Sequence, residues 1–153
     1  MMLNTGMVSS NTDEWATPQA LFDDLNNEFQ FDVDVCADDW NHKCAKYFTK
    51  ADDGLQQEWL GSVWMNPPYG RAIKAWMAKA VESWKAGASV VCLVPARTDT
   101  AWWHDYAMQG EIRFLRGRVK FVSRDEPGGS APFPSAVVIF RKGDFEGCVC
   151  GGR

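Results

Sequence analysis

At 153 residues with 46% hydrophobic side chains, the chain carries enough apolar material for one domain core, which excludes an intrinsically disordered protein. No apolar run approaches the ~20 residues that a bilayer-crossing helix needs, which excludes a helical membrane protein. The net charge of −4 weighs against a phosphate-rich partner, yet residues 1–60 hold 12 acidic against 3 basic groups, whereas residues 61–153 hold 13 basic against 8 acidic.

Residues 1–12 show neither a basic start nor an apolar stretch, so a flexible N-terminus without a secretory signal is expected, and with it a cytoplasmic location. Thr17 reads as an N-cap with Pro18 at the first helical position, opening a helix to about Phe29 with Leu21, Phe22, Leu25 and Phe29 on one face. Phe31, Val33 and Val35 then alternate with Asp32 and Asp34 as a strand. A short helical stretch is expected from Trp40 to Lys46, and a brief strand at Tyr47-Phe48-Thr49. Residues 62–65 form the strand that feeds Asn66-Pro67-Pro68-Tyr69. From near Arg71, the spacing of Ile73, Trp76, Met77, Ala80, Val81 and Trp84 predicts an amphipathic helix that Gly87 ends.

The unbroken apolar run from Val90 to Val94 is a strand covered on both faces. Thr98 or Asp99 caps a helix reaching Gln109, with Trp102, Trp103 and Tyr106 as its bulk. Strands follow at 111–115, 118–122 and 135–140, the last two separated by a glycine- and proline-rich loop, 123–134, that is either a connector or a flap. This order predicts an α/β domain over 13–142, a doubly wound, mostly parallel sheet with an antiparallel end, followed by a tail over 143–153. The five cysteines suit a reducing compartment as free thiols; Cys36, His42 and Cys44 match no zinc spacing, and no metal is expected.

The chemistry concentrates at Asn66-Pro67-Pro68-Tyr69, placed where a strand ends and a helix begins, the position at which open α/β sheets bind ligands. Asn66 precedes proline and is held extended, and both prolines have fixed φ and no N–H. The loop is therefore stiff and rich in acceptors. The Asn66 side-chain oxygen and a proline carbonyl can accept both hydrogens of one exocyclic amine while Tyr69 lies against the ring that bears it. Two fixed acceptors favour a pyramidal nitrogen with a localised lone pair, ready for in-line attack on a sulfonium methyl without a strong general base. The bland alternative is a rigid turn with Tyr69 as a packing residue.

These four residues match the catalytic motif of S-adenosylmethionine-dependent amino-methyltransferases. The wider string, from Asp13-Glu14-Trp15-Ala16-Thr17-Pro18 through Phe31-Asp32-Val33-Asp34-Val35-Cys36-Ala37 and Asp53-Gly54-Leu55 to Trp64-Met65-Asn66-Pro67-Pro68-Tyr69-Gly70, resembles the small bacteriophage-type DNA N6-adenine methyltransferases over 13–142. The resemblance implies a reduced Rossmann-like class I methyltransferase fold, with S-adenosylmethionine as cofactor and DNA as partner. It makes Asn66, Pro67, Pro68 and Tyr69 catalytic. It also directs Asp34 to the methionine ammonium, Cys36 and Ala37 to a close backbone surface and Asp53 to the adenosine. Asn66 would adjoin the same donor pocket, with Trp15, Thr17 and Pro18 closing over the methionine tail. Trp64 or Trp103 could wall the base pocket.

Arg71, Lys74, Arg116, Arg118, Lys120 and Arg124 are the candidate DNA contacts, with a solvated charged face as the alternative. A target inside duplex DNA must be flipped out. No separate target-recognition domain is evident, so specificity should be low, confined to a few loop contacts, or supplied by a homo-oligomer or a second subunit. Cytosine N4, a protein glutamine, and a non-catalytic nucleic-acid-binding module remain open alternatives.

Overall fold

The computed structural model describes residues 16–122 and 130–144. Among these, five strands form one sheet in the order β1-β2-β3-β5-β4: β1 (Val33–Asp34), β2 (Ser62–Met65), β3 (Ser89–Pro95), β4 (Glu111–Phe114) and β5 (Ser135–Phe140). β1, β2 and β3 are parallel neighbours, and β5 is antiparallel to both β3 and β4. β5 alone therefore runs against the rest, and β1 to β4 all leave the sheet at one edge. Three α-helices accompany them: α1 (Gln19–Phe29), α2 (Ile73–Lys85) and α3 (Ala101–Asp105). No described helix is long and apolar enough to cross a membrane.

Side-chain alternation along the strands locates the helices. Arg113 of β4 reaches Glu28 of α1, at 2.8 and 2.7 Å, whereas the adjacent Phe114 stacks on Trp103 of α3 with ring centroids 6.2 Å apart. α1 and α3 thus cover opposite faces. Phe114 is in register with Ala136, which puts Phe140 on the same face, and Phe140 packs on Trp84 of α2 at 5.2 Å. α2 therefore shares α3's side. On the α1 side Trp64, 1% exposed, meets Phe22 edge-on at 5.4 Å.

Sequence periodicity places α2 well, since all six of its predicted apolar positions are buried. The helix ends where Gly87 adopts a φ of 114°, a left-handed conformation that suits glycine. Other expectations need correction. The first helix begins at Gln19 with Pro18 in the cap position and no side-chain cap, because the Thr17 hydroxyl bonds elsewhere. Residues 40–46 form no helix, since their backbone serves β1: the Lys46 carbonyl accepts from Asp34 N–H at 3.0 Å and Lys43 N–H donates to the Asp34 carboxylate. Tyr47 makes a single bridge to Asp34 rather than a strand.

The expected helix to Gln109 is the short α3, capped by Thr100 rather than Thr98 or Asp99, and then a 3-10 turn at Ala107–Gln109. Residues 118–122 keep their alternation, with Val119 and Phe121 buried and Arg118 and Lys120 exposed. Their backbone makes isolated bridges, Ala16 to Val122 and Lys120 to Ser130, in place of a sheet strand.

Candidate active site

β1 and β2 end side by side, and a cavity of about 340 Å³ opens beyond them. Its wall takes Ala16 and Thr17 from the approach to α1, Asp34 to Asp38 from the end of β1, Asn66 and Pro68 from the loop after β2, Ala72 from the N-cap of α2 and Trp76 from its first turn. Residues 41–54 close the remaining side with Asn41, Lys43, Phe48, Thr49, Lys50, Asp53 and Gly54. Phe48 is held against β1 by its N–H on the Asp34 carbonyl, 3.0 Å, and by its carbonyl accepting Ala37 N–H, 2.9 Å.

Asp34 is 2% exposed, on the sheet face that carries Trp64. Its carboxylate accepts from Lys43 N–H at 3.0 Å and Cys36 N–H at 3.3 Å. Those two bonds and the nearby charges of Lys43 and His42 favour the ionised form, but burial outweighs them and pushes the carboxyl up to about 7. Cys36 is likewise held as a neutral thiol, burial pushing it up to about 12. Asp53 sits in the left-handed region at φ 56° and is exposed at the cavity rim. A Cβ on the following Gly54 would overlap the Val35 carbonyl oxygen and lie 3.0 Å from the Trp76 ring, so no other residue fits there without displacement.

The loop after β2 is pinned by side chains. Asn66 Nδ2 donates to Thr17 Oγ1 at 2.9 Å. The Tyr69 hydroxyl lies 2.8 Å from Asn66 Oδ1 and 3.1 Å from the Leu93 carbonyl. Burial raises Tyr69 well above the ordinary phenol range, which keeps the hydroxyl a donor. Its ring is turned away from the cavity, edge-on to Phe133 at 5.5 Å and Phe121 at 6.1 Å. The expected open platform for a flat ring is thus absent in this arrangement, because Tyr69 completes the aromatic core beneath the loop.

Of the predicted residues, Thr17, Asp34, Cys36, Ala37, Asp53, Asn66 and Pro68 converge on the cavity, while Pro67 and Tyr69 lie buried behind it. Pro18 stands aside at the start of α1, and Trp15 and Arg124 fall outside the described residues. Trp64 walls the cavity, whereas Trp103 packs on Phe114. Sequence reasoning missed Asn41 and Lys43, hidden in the segment misread as helix, and Lys50 just beyond the expected strand. It also missed Gly54, signalled by its place after Asp53.

The candidate DNA contacts Arg71, Lys74, Arg116, Arg118 and Lys120 are all exposed. The last three follow β4, which leaves the sheet at the same edge as the Asn66 loop. Phe121, beside Lys120, touches Tyr69, which ties this basic segment to the loop. Arg97, exposed after β3 with its guanidinium 5.5 Å from the Phe133 ring centre, was not foreseen.

The family described as DNA N-6-adenine-methyltransferase (Dam) matches residues 4–146. A DNA N-6-adenine-methyltransferase of Haemophilus phage HP1 is 31% identical over 148 residues, covering 92% of this chain and 85% of the phage protein. A protein of the same description from Escherichia phage T1 is 31% identical over 131 residues, covering 69% of this chain. The match spans 55% of the T1 protein's length.

Proposed function

The chain belongs to the DNA N-6-adenine-methyltransferase family, and we propose that it transfers a methyl group from S-adenosylmethionine to the N6 amine of adenine in DNA, on a reduced Rossmann-like class I methyltransferase fold. The observation that carries this reading is the contiguity of two features. A cavity with a buried carboxylate opens at the end of β1, and a pinned, acceptor-bearing loop borders it at the end of β2.

The residues present fit the proposed donor. Asp34 pays a desolvation penalty that a cationic ammonium would relieve, and a cavity of this size is in the range that holds small cofactors. Asp34 would hold the ammonium, the backbone of Cys36 and Ala37 would line the close approach, and Asp53 at the rim would take the adenosine side. When bound, the cofactor supplies an electrophilic methyl on a sulfonium sulfur.

The protein's own part is positioning. Asn66 Oδ1 and a proline carbonyl of the loop are the acceptors for the two amine hydrogens, Pro68 walls the cavity, and Tyr69 supports the amide from behind. The amine proton is acidic only after the methyl arrives, so water can take it and no histidine is required. An adenine inside a duplex must be extruded to reach Asn66. Arg71, Lys74, Arg116, Arg118 and Lys120 would hold the flanking phosphates. Base discrimination then falls to short loops at the same edge or to another subunit.

Tritiated methyl transfer to unmethylated DNA, followed by digestion to nucleosides, tests the proposal. Label is expected in N6-methyl-2′-deoxyadenosine, reduced at least about a hundredfold by Asn66→Ala with donor binding retained. Label in N4-methylcytosine or on protein would contradict it.

A further inference from the structure

Arg97 holds an exposed positive charge beside the Asn66 loop. β2 and β3 are parallel with Met65 opposite Cys92, and β3 runs on to Pro95, so Arg97 follows the strand end that flanks the loop. No residue of β3 or of the turn after it lines the donor cavity, which places Arg97 across the loop from it. Its guanidinium lies 5.5 Å from the ring centre of the buried Phe133, Phe133 meets Tyr69 at 5.5 Å, and the Tyr69 hydroxyl bonds to Asn66 at 2.8 Å. The backbone is fixed as well. The Arg97 carbonyl accepts the Thr100 hydroxyl at 2.7 Å and the Thr100 N–H at 3.1 Å, and Ala96 N–H donates to the Pro134 carbonyl at 2.8 Å. Among the described residues no carboxylate pairs with Arg97, whereas Arg113 and Arg141 are both taken up by Glu28 and Glu111. A guanidinium backed by an aromatic ring and fixed at its backbone is preorganised for an anion from outside the chain.

In adenine the N6 amine and the nitrogen that carries the sugar lie at opposite ends of the ring system. With N6 at Asn66 and facing a methyl in the cavity, the sugar and its phosphates extend away from the cavity, and the strand next to β2 on that side is β3. We propose that Arg97 binds a phosphate adjoining the extruded adenosine, a role that rests on the proposed methyl transfer at Asn66. Its planar fork can hold two phosphate oxygens at once. The contact forms only when the nucleotide has left the stack. It therefore stabilises the extruded state and does not add to the contacts that hold stacked DNA.

The test combines Arg97→Met, which keeps an apolar stem on Phe133 while removing the charge, with duplexes in which the phosphate on one or the other side of a single adenine is a neutral methylphosphonate. The adenine stands opposite an abasic position, where extrusion costs least. Affinity is measured with saturating sinefungin, a non-reactive analogue of the donor, and kcat/KM on the same duplexes with S-adenosylmethionine. At one of the two methylphosphonate positions wild-type affinity should fall at least about tenfold, and Arg97→Met should cost a similar factor on the unmodified duplex. The two changes together should cost no more than either alone, and kcat/KM should follow the same pattern. Affinity for S-adenosylmethionine, and for a duplex of guanine and cytosine alone, should stay within about twofold. Arg97→Met with wild-type affinity and kcat/KM, losses that multiply at both positions, or an equal loss on the adenine-free duplex overturns the proposal. If the wild-type protein transfers no methyl group to DNA, the reading of Asn66 fails on its own, and the affinities still decide whether Arg97 meets that phosphate. Should the methionine variant not fold, Arg97→Gln is read in the same way.

Discussion

Asp34 concentrates the electrostatic cost of the site in one carboxyl group. Burial lifts it to about 7 against about 4 in an unfolded chain, so between those values the folded protein holds a proton that the unfolded chain has lost. Its contribution to stability is therefore complete below pH 4 and lost as pH rises to about 7. Asp34→Asn should flatten that slope, read from denaturant unfolding across pH, while abolishing donor binding. A cationic ligand favours the ionised form, so affinity for S-adenosylmethionine should climb between pH 5.5 and 7.5. Calorimetry in buffers of different ionisation enthalpy should detect a proton released on binding at the acid end and almost none at pH 8; a flat pH profile would mean Asp34 does not meet the ammonium. Asp34 and Asn66 were legible in sequence because each ends a strand with a recognisable pattern. The Thr17 bond to Asn66 was not, because nothing local to either residue encodes a contact across 49 positions.

Elements were legible where one hydrophobic period governs them. α2 and β3 are examples, buried along the faces that their spacing specifies. Residues 40–46 failed because side-chain periodicity cannot reveal that Lys43 and Lys46 spend their backbone groups on Asp34. Residues 118–122 failed for a related reason: their alternation is real, but the chains beside them are residue 16 and residues 130–131, which no strand signal marks. The turn at Gly54 illustrates how closely the elements meet. Its carbonyl accepts the Trp59 indole N–H at 2.8 Å, while its α-carbon abuts Val35 and Trp76. Gly54→Ala should force β1 and α2 apart, costing about 1–3 kcal/mol in denaturant unfolding and weakening donor binding. A variant with wild-type stability would show that this junction yields easily.

Across the whole molecule the charge is divided, with an acidic N-terminal part holding most of the cavity and exposed basic groups at the edge where β2 and β4 end. Six candidate phosphate contacts, Arg124 included, bound the salt dependence of DNA affinity: the slope of log K against log salt should be no steeper than about −5.4, and Arg118→Ala or Lys120→Ala should each reduce it by about 1. Arg113 is different, since Glu28 and Glu111 already bind it at the half-exposed junction of α1 and β4, and Arg113→Ala should leave the slope unchanged. All of this presumes that donor and target amine meet where the ends of β1 and β2 adjoin. A crystal structure with sinefungin, whose amine stands in for the transferable methyl, addresses that meeting point directly. The amine should lie within about 5 Å of the Asn66 amide with the ligand's ammonium on Asp34; sinefungin bound elsewhere, or with its amine facing away from Asn66, would contradict it.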